Sequence, residues 1–180
     1  MFTSRTAFVL VTWLAVVGTA AAAPPGISVR ESKVAATSEG EVVVDVTPDA
    51  AYAALADYGR WSAIFPSVAS AQLRSGSGDT AVVEITSPKG KPYTLRFDND
   101  RKRRIVRFSQ RGGRVAGDTT LTFIAGPAAG QTTIHARLHA AVVGPASWFV
   151  GSARVRRKRQ RALSENLVAI AAYLATPAGP

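Results

Sequence analysis

No cysteine occurs among the 180 residues. That excludes a disulfide framework, thiolate chemistry and a lipid-modified cysteine at a processing site. Histidine is almost as scarce, with His135 and His139 the two in the chain. Their neighbours alternate as in a strand, where four residues span about 13 Å, too far apart to hold one ion. Both are read as outer-face residues, and no metal or other cofactor is expected. No glycine-rich phosphate loop and no nucleophile elbow is present: Gly76-Ser77-Gly78 reads as a hairpin tip, and Gly90 and Gly112-Gly113 as hairpin turns. Glu84 and Asp98 fall on the outer face by alternation, so no catalytic carboxylate pair is supported and no catalytic residue is assigned. Acidic side chains are few, 12 against 22 lysines and arginines, for a formal net charge of +10. Past the N-terminal region, no apolar run approaches the ~20 residues a membrane-spanning helix needs.

What is present begins with a targeting pattern. Arg5 supplies a positive start, Ala7 to Val17 form an apolar run broken by Thr12, and Ala20 to Ala23 offer small-residue cleavage sites. Pro24 is a poor residue just after a cut, so cleavage is expected between Ala22 and Ala23, with an uncleaved anchor as the alternative. The expected organisation is a signal peptide over 1–22, a linker over 23–26, one domain over 27–176 and a tail over 177–180. Its place is the periplasm or the extracellular space. Only Arg5 leaves with the leader, so the exported domain stays strongly basic. Such a domain seeks anionic partners, lipid head groups, acidic polysaccharide or acidic small molecules, rather than nucleic acid. A monomer is expected.

The remaining pattern is mostly strand. Ile27 to Ala36 is a strand candidate, Glu39-Gly40 a turn, and Glu41 to Thr47 a strand in which Val42, Val44 and Val46 share a face. Thr47 is a good N-cap and Pro48 suits the first helical position, so a helix runs through Ala50 to Ala56. The next segment carries Tyr58, Trp61 and Phe65 at three- and four-residue spacing before Pro66, an aromatic hook suited to the lid of an apolar cavity. Its Trp61 and Phe65 are expected to gate the entrance. Alternating strands follow, with Ala81, Val83 and Ile85; Tyr93, Leu95 and Phe97; Val106 and Phe108; Leu121 and Phe123; and Ile134, Ala136 and Leu138 on the inner face. Short turns join them, so they should pair as an antiparallel meander with one face to cover. Leu163, Leu167, Ile170 and Leu174 mark the amphipathic helix that covers it.

This order resembles the START-like, or helix-grip, superfamily, and within it the polyketide cyclase/dehydrase and coenzyme Q-binding families. The residues that carry the likeness are Val42 to Pro48, Leu55-Ala56-Asp57-Tyr58, Phe65-Pro66-Ser67-Val68 and Gly130 to Ile134. Gln131 and the density of arginines depart from the family pattern. The resemblance implies an α+β helix-grip fold: a curved antiparallel sheet wrapped around a long C-terminal helix, with two short helices after the first strand. It also implies a hydrophobic or lipid-like ligand held between sheet and helix, in a family of which only some members are enzymes. On that basis Tyr58, Trp61, Phe65, Val83, Ile85, Tyr93, Leu95, Phe97, Val106, Phe108, Leu121 and Phe123 are the expected ligand-binding residues.

The basic run of the last helix adds a second element. Arg154, Arg156, Arg157, Lys158 and Arg161 lie in its first half, where the helix dipole disfavours cations, so an anionic membrane surface is the expected contact. Arg159 falls on the apolar stripe, four residues from both Val155 and Leu163. Either its stem snorkels outward, or it meets an anionic group at the cavity mouth and joins the ligand-binding set. The leading reading is an exported binding protein. A cyclase or hydrolase using the same cavity is the alternative, and a basic protein binding acidic polymer is a weaker third.

Overall fold

The computed structural model describes residues 26–77, 79–110, 115–142 and 152–176. The expected signal peptide, nearly all of the linker, the Gly112-Gly113 turn and the tail lie outside them.

Eight strands form one antiparallel sheet: β1 (Ser28–Glu31), β2 (Thr37–Val44), β3 (Ser70–Ser77), β4 (Thr80–Thr86), β5 (Pro92–Asp98), β6 (Ile105–Gln110), β7 (Val115–Ala125) and β8 (Thr132–Val142). Their spatial order is β1-β2-β8-β7-β6-β5-β4-β3. From β3 to β8 each strand pairs with its successor, the meander that short turns dictate. Between β2 and β3 come α1 (Pro48–Ala56), a 3-10 turn (Tyr58–Arg60) and α2 (Trp61–Ile64), and the chain ends in α3 (Ser152–Ala175). This is the helix-grip α+β architecture.

Helix α1 starts as its sequence dictates. Thr47 Oγ1 accepts from the Ala50 amide at 3.4 Å, and Pro48 occupies the first turn. The chain leaves α1 at Asp57, whose carboxylate accepts from the Gly59 amide at 3.1 Å and from Arg60 Nε at 2.9 Å, fixing the tight 3-10 turn. The same Arg60 reaches α3, its Nη1 donating to the Tyr173 hydroxyl at 3.4 Å.

One correction concerns the first hairpin. Glu39-Gly40 is not a turn: it lies inside β2, and the turn falls earlier, at residues 32–36, with Ala36 at φ +53°. Gly40 is needed there because α3 packs directly upon it. A Cβ on Gly40 would stand 2.8 Å from Leu167 Cδ1 and 2.9 Å from the Ser28 carbonyl oxygen. On α3 the residues Leu163, Leu167 and Ile170 are buried and Leu174 half-buried, as the stripe requires. The helix rests on β1, β2, β8 and α2, while α1 packs over β6, β7 and β8.

Candidate functional site: the concave face of the sheet

The register sorts the inner face into two halves. In the first, Val83, Ile85, Leu95, Phe97, Val106, Phe108, Leu121 and Phe123 are buried in one cluster with Trp61 and Phe65. The rings interlock around Trp61, whose centroid lies 5.0 Å from Phe65, 5.1 Å from Phe97 and 5.2 Å from Phe108. Tyr58 stacks on Phe97 at 4.3 Å. The indole Nε1 donates to the Leu55 carbonyl at 3.0 Å, tying the hook to the end of α1. Trp61 is 0% exposed, so the structure places the hook as a plug within the core and not as a gate at a rim. An indole is large and amphipathic; once its N–H finds a carbonyl, nothing holds it at a wet edge.

The second half is different. The strands place Gln110, Gly117 and Ala140 in one inward row and Thr119 and Leu138 in the next, continuing to Ser38 on β2. Gln110, Gly117, Thr119, Leu138 and Ala140 are all half-buried, as is Tyr93 on β5. Past Phe108, which pairs with Thr119, small and polar residues stand where the first half has phenylalanines, and among the described residues this end of the concave face is less fully buried than the first half; we refer to it as the open half. Tyr93 alone of these was expected in the site. The others were missed, although glycine, alanine and threonine at inward parity, where Leu121 and Phe123 predict bulk, are a readable sign of unfilled space.

Arg159 stands at the border of the two halves. Its side chain is 4% exposed. Nε donates to Ser38 Oγ at 3.0 Å, Nη1 to the Ala140 carbonyl at 3.3 Å, and Nη2 to Glu31 Oε1. Ser38 Oγ in turn donates to Glu31 Oε2 at 3.1 Å. The stem does not snorkel. The anionic group that Arg159 meets belongs to the chain itself.

Helix α3 runs from this open end toward the plug: Arg159 lies beside Ser38, Leu167 over Gly40, and Tyr173 by Arg60. Its basic first half is therefore at the open end. Arg154, Arg156 and Arg157 are exposed and Lys158 half-buried, with no acid in the first turn. Arg161 is exposed but tied to Glu165, Nε to Oε1 at 2.7 Å.

Two polar features lie away from this end. Asn99 is buried beside the plug. Its Nδ2 donates to the Tyr58 hydroxyl at 2.9 Å, and its Oδ1 has no hydrogen-bond partner. Burial raises the Tyr58 hydroxyl above the ordinary phenol range, partly offset by the Asn99 contact. On the outer face, His135 Nδ1 lies 3.4 Å from Glu41 Oε2 and His139 Nδ1 3.1 Å from Thr37 Oγ1. Among the described residues no three potential metal ligands come together.

The model of the family described as polyketide cyclase / dehydrase and lipid transport matches residues 35–175. No curated protein matches the sequence. Solved structures show the same fold. One is the di-domain aromatase/cyclase BexL of the BE-7585A biosynthetic pathway, with TM-score 0.69 and 19% identity over 80% of this chain and 48% of that one, so this chain spans about half its length. Another is the Zhui aromatase/cyclase of Streptomyces sp. R1128, with TM-score 0.66 and 18% identity over 84% and 99% of the two chains. A third is a STAR-related lipid transfer protein fragment of Xanthomonas axonopodis, with TM-score 0.58 and 16% identity over 85% and 96%.

Proposed function

Because the chain belongs to the polyketide cyclase/dehydrase and lipid-transport family, we propose that it holds a hydrophobic or lipid-like ligand against the open half of its concave sheet. We read it as an exported carrier that works at an anionic membrane surface. The observation that carries this is the division of the inner face: a dry aromatic floor beside a half-exposed end of small and polar residues, bordered by one buried cation. An apolar wall with a few convergent polar groups is what a small-molecule site needs. Export is supported by the N-terminal apolar leader. Membrane attachment is supported by the basic half of α3 at the open end. A cyclase- or hydrolase-type reaction in the same space has less support, since the polar side chains among the described residues there, Tyr93, Gln110, Thr119 and the cluster of Ser38, Arg159 and Glu31, include no histidine and no carboxylate other than the one paired with Arg159.

The test is native mass spectrometry of the purified protein, with chemical extraction of what co-purifies. A bound apolar molecule is expected, and Ala140→Trp, which fills the open end, should abolish it while the protein still melts cooperatively. Retention of the same molecule by Ala140→Trp, or a ligand-free protein that also fails to take up added lipid, would overturn the reading.

A further inference from the structure

Glu31 occupies a carboxylate receptor made by two other residues. Arg159 Nη2 holds one of its oxygens and the Ser38 hydroxyl the other, at 3.1 Å. Ser38 is itself oriented by accepting from Arg159 Nε at 3.0 Å. A guanidinium has five N–H groups, and these contacts with the Ala140 carbonyl engage three of them. Cation and hydroxyl are fixed in the interior, and Ser38 is completely buried. The carboxylate is the loose member. It comes from the edge strand β1 and its side chain is 34% exposed, against 4% for Arg159.

A buried cation left without a partner is strongly unfavourable, so Arg159 needs an anion at this place. The structure does not require that anion to be Glu31. Glu31, on the edge strand and a third exposed, is the member nearest solvent, while Ser38 pairs with Leu138 and Arg159 itself touches the Ala140 carbonyl, so the open half begins beside the guanidinium. We propose that the ligand is a carboxylate-headed amphiphile, whose head displaces Glu31 from Arg159 and Ser38 while its chain lies along the open half. This rests on the reading of the open half as the ligand space. The receptor selects for charge, because a neutral head leaves the Glu31 pair intact and gains nothing from Arg159. It favours a carboxylate over a phosphate, because what it holds is a flat pair of oxygens bearing one charge.

The experiment titrates the purified full chain at neutral pH with 11-(dansylamino)undecanoic acid and with its methyl ester, followed by dansyl fluorescence. The wild type should prefer the acid. Glu31→Gln removes the resident charge but keeps its shape, and should tighten the acid roughly ten- to hundredfold with the ester unchanged. Arg159→Met should abolish the preference; if it fails to fold, Glu31→Gln decides alone. An acid-to-ester ratio in Glu31→Gln equal to that of the wild type overturns the proposal while leaving the ligand space standing. Failure of both probes to bind any variant overturns both. A dodecyl phosphate competitor that gains as much from Glu31→Gln as the acid does would overturn the carboxylate assignment in favour of any anion.

Discussion

Leu167 and Gly40 meet so closely that any side chain at position 40 collides with the helix: a Cβ there would lie 2.8 Å from Leu167 Cδ1. The same Cβ would lie 2.9 Å from the Ser28 carbonyl oxygen, which is backbone and cannot rotate away. Gly40→Ala should therefore destabilise the protein by about 1–3 kcal/mol, the usual cost of overpacking. Shortening Leu167 in the same chain should not recover this, because the Ser28 contact stays. Urea denaturation of the single and double variants measures it. An unchanged midpoint for Gly40→Ala would mean that neither α3 nor β1 approaches Gly40 as described.

Trp61 gives a second stability test, and one that separates plug from gate. Its indole is enclosed by Phe65, Phe97 and Phe108 and donates to the Leu55 carbonyl. Trp61→Ala should cost on the order of 3–5 kcal/mol. In a protein carrying Trp13→Phe and Trp148→Phe, the remaining indole should emit at short wavelength and resist quenching by iodide. Ready quenching would return the hook to a rim position.

The acid limb of stability has a specific contributor. Arg104 Nε donates to Asp49 Oδ1 at 2.6 Å and Nη2 to Oδ2 at 3.4 Å. That hydrogen bond, and then the charge behind it, holds the Asp49 carboxyl below its ordinary value. A carboxyl depressed by folding contributes stability that is fully present above its unfolded value, roughly 4, and is lost as pH falls through the folded value. Asp49→Asn should thus lower the melting temperature at pH 7, with the difference from wild type shrinking progressively below about pH 4. A difference independent of pH would assign the loss to packing and not to the ion pair.

The strands and α3 were legible because each obeys a simple period. Val83 and Ile85, Leu95 and Phe97, and Leu121 and Phe123 alternate, and Leu163, Leu167 and Ile170 share a helical stripe; all are buried. The first hairpin was misread because Gly40 carries the local signature of a turn while its actual cause is the remote Leu167. The Arg159 receptor was half legible. Arg159 stands out on the apolar stripe of its helix, whereas its partner on β1 does not. Glu31 continues the parity of Ile27 and Val29, both packed against the core, so a carboxylate at an inward strand position was the matching sign. Two opposite charges at two buried parities point to each other, but which strand meets which helix turn is a tertiary fact. The hook was read as a lid because aromatics beside a proline suit either role; the ring contacts decide it.

Membrane attachment is where the charge of the chain and the geometry of the site meet. Arg154, Arg156, Arg157 and Lys158 lie in the first half of α3, at the open end of the concave face, and the first turn carries no acid to offset them. Cations at a helix start oppose the dipole, and anionic head groups there would relieve it. Arg159 is buried and faces inward to Glu31, and Arg161 is paired with Glu165. The first four therefore carry the proposal, at about 1 kcal/mol each near an anionic surface and weakening with salt. In sedimentation with vesicles, the wild type should pellet with phosphatidylglycerol-containing vesicles, release at high salt and ignore pure phosphatidylcholine. Changing these four residues to glutamine should leave the protein in the supernatant with its melting temperature little altered, since none of the four lies in the buried core. Equal pelleting of variant and wild type would reduce the run to a solvated helix face, and with it the reason to turn the open end toward a membrane.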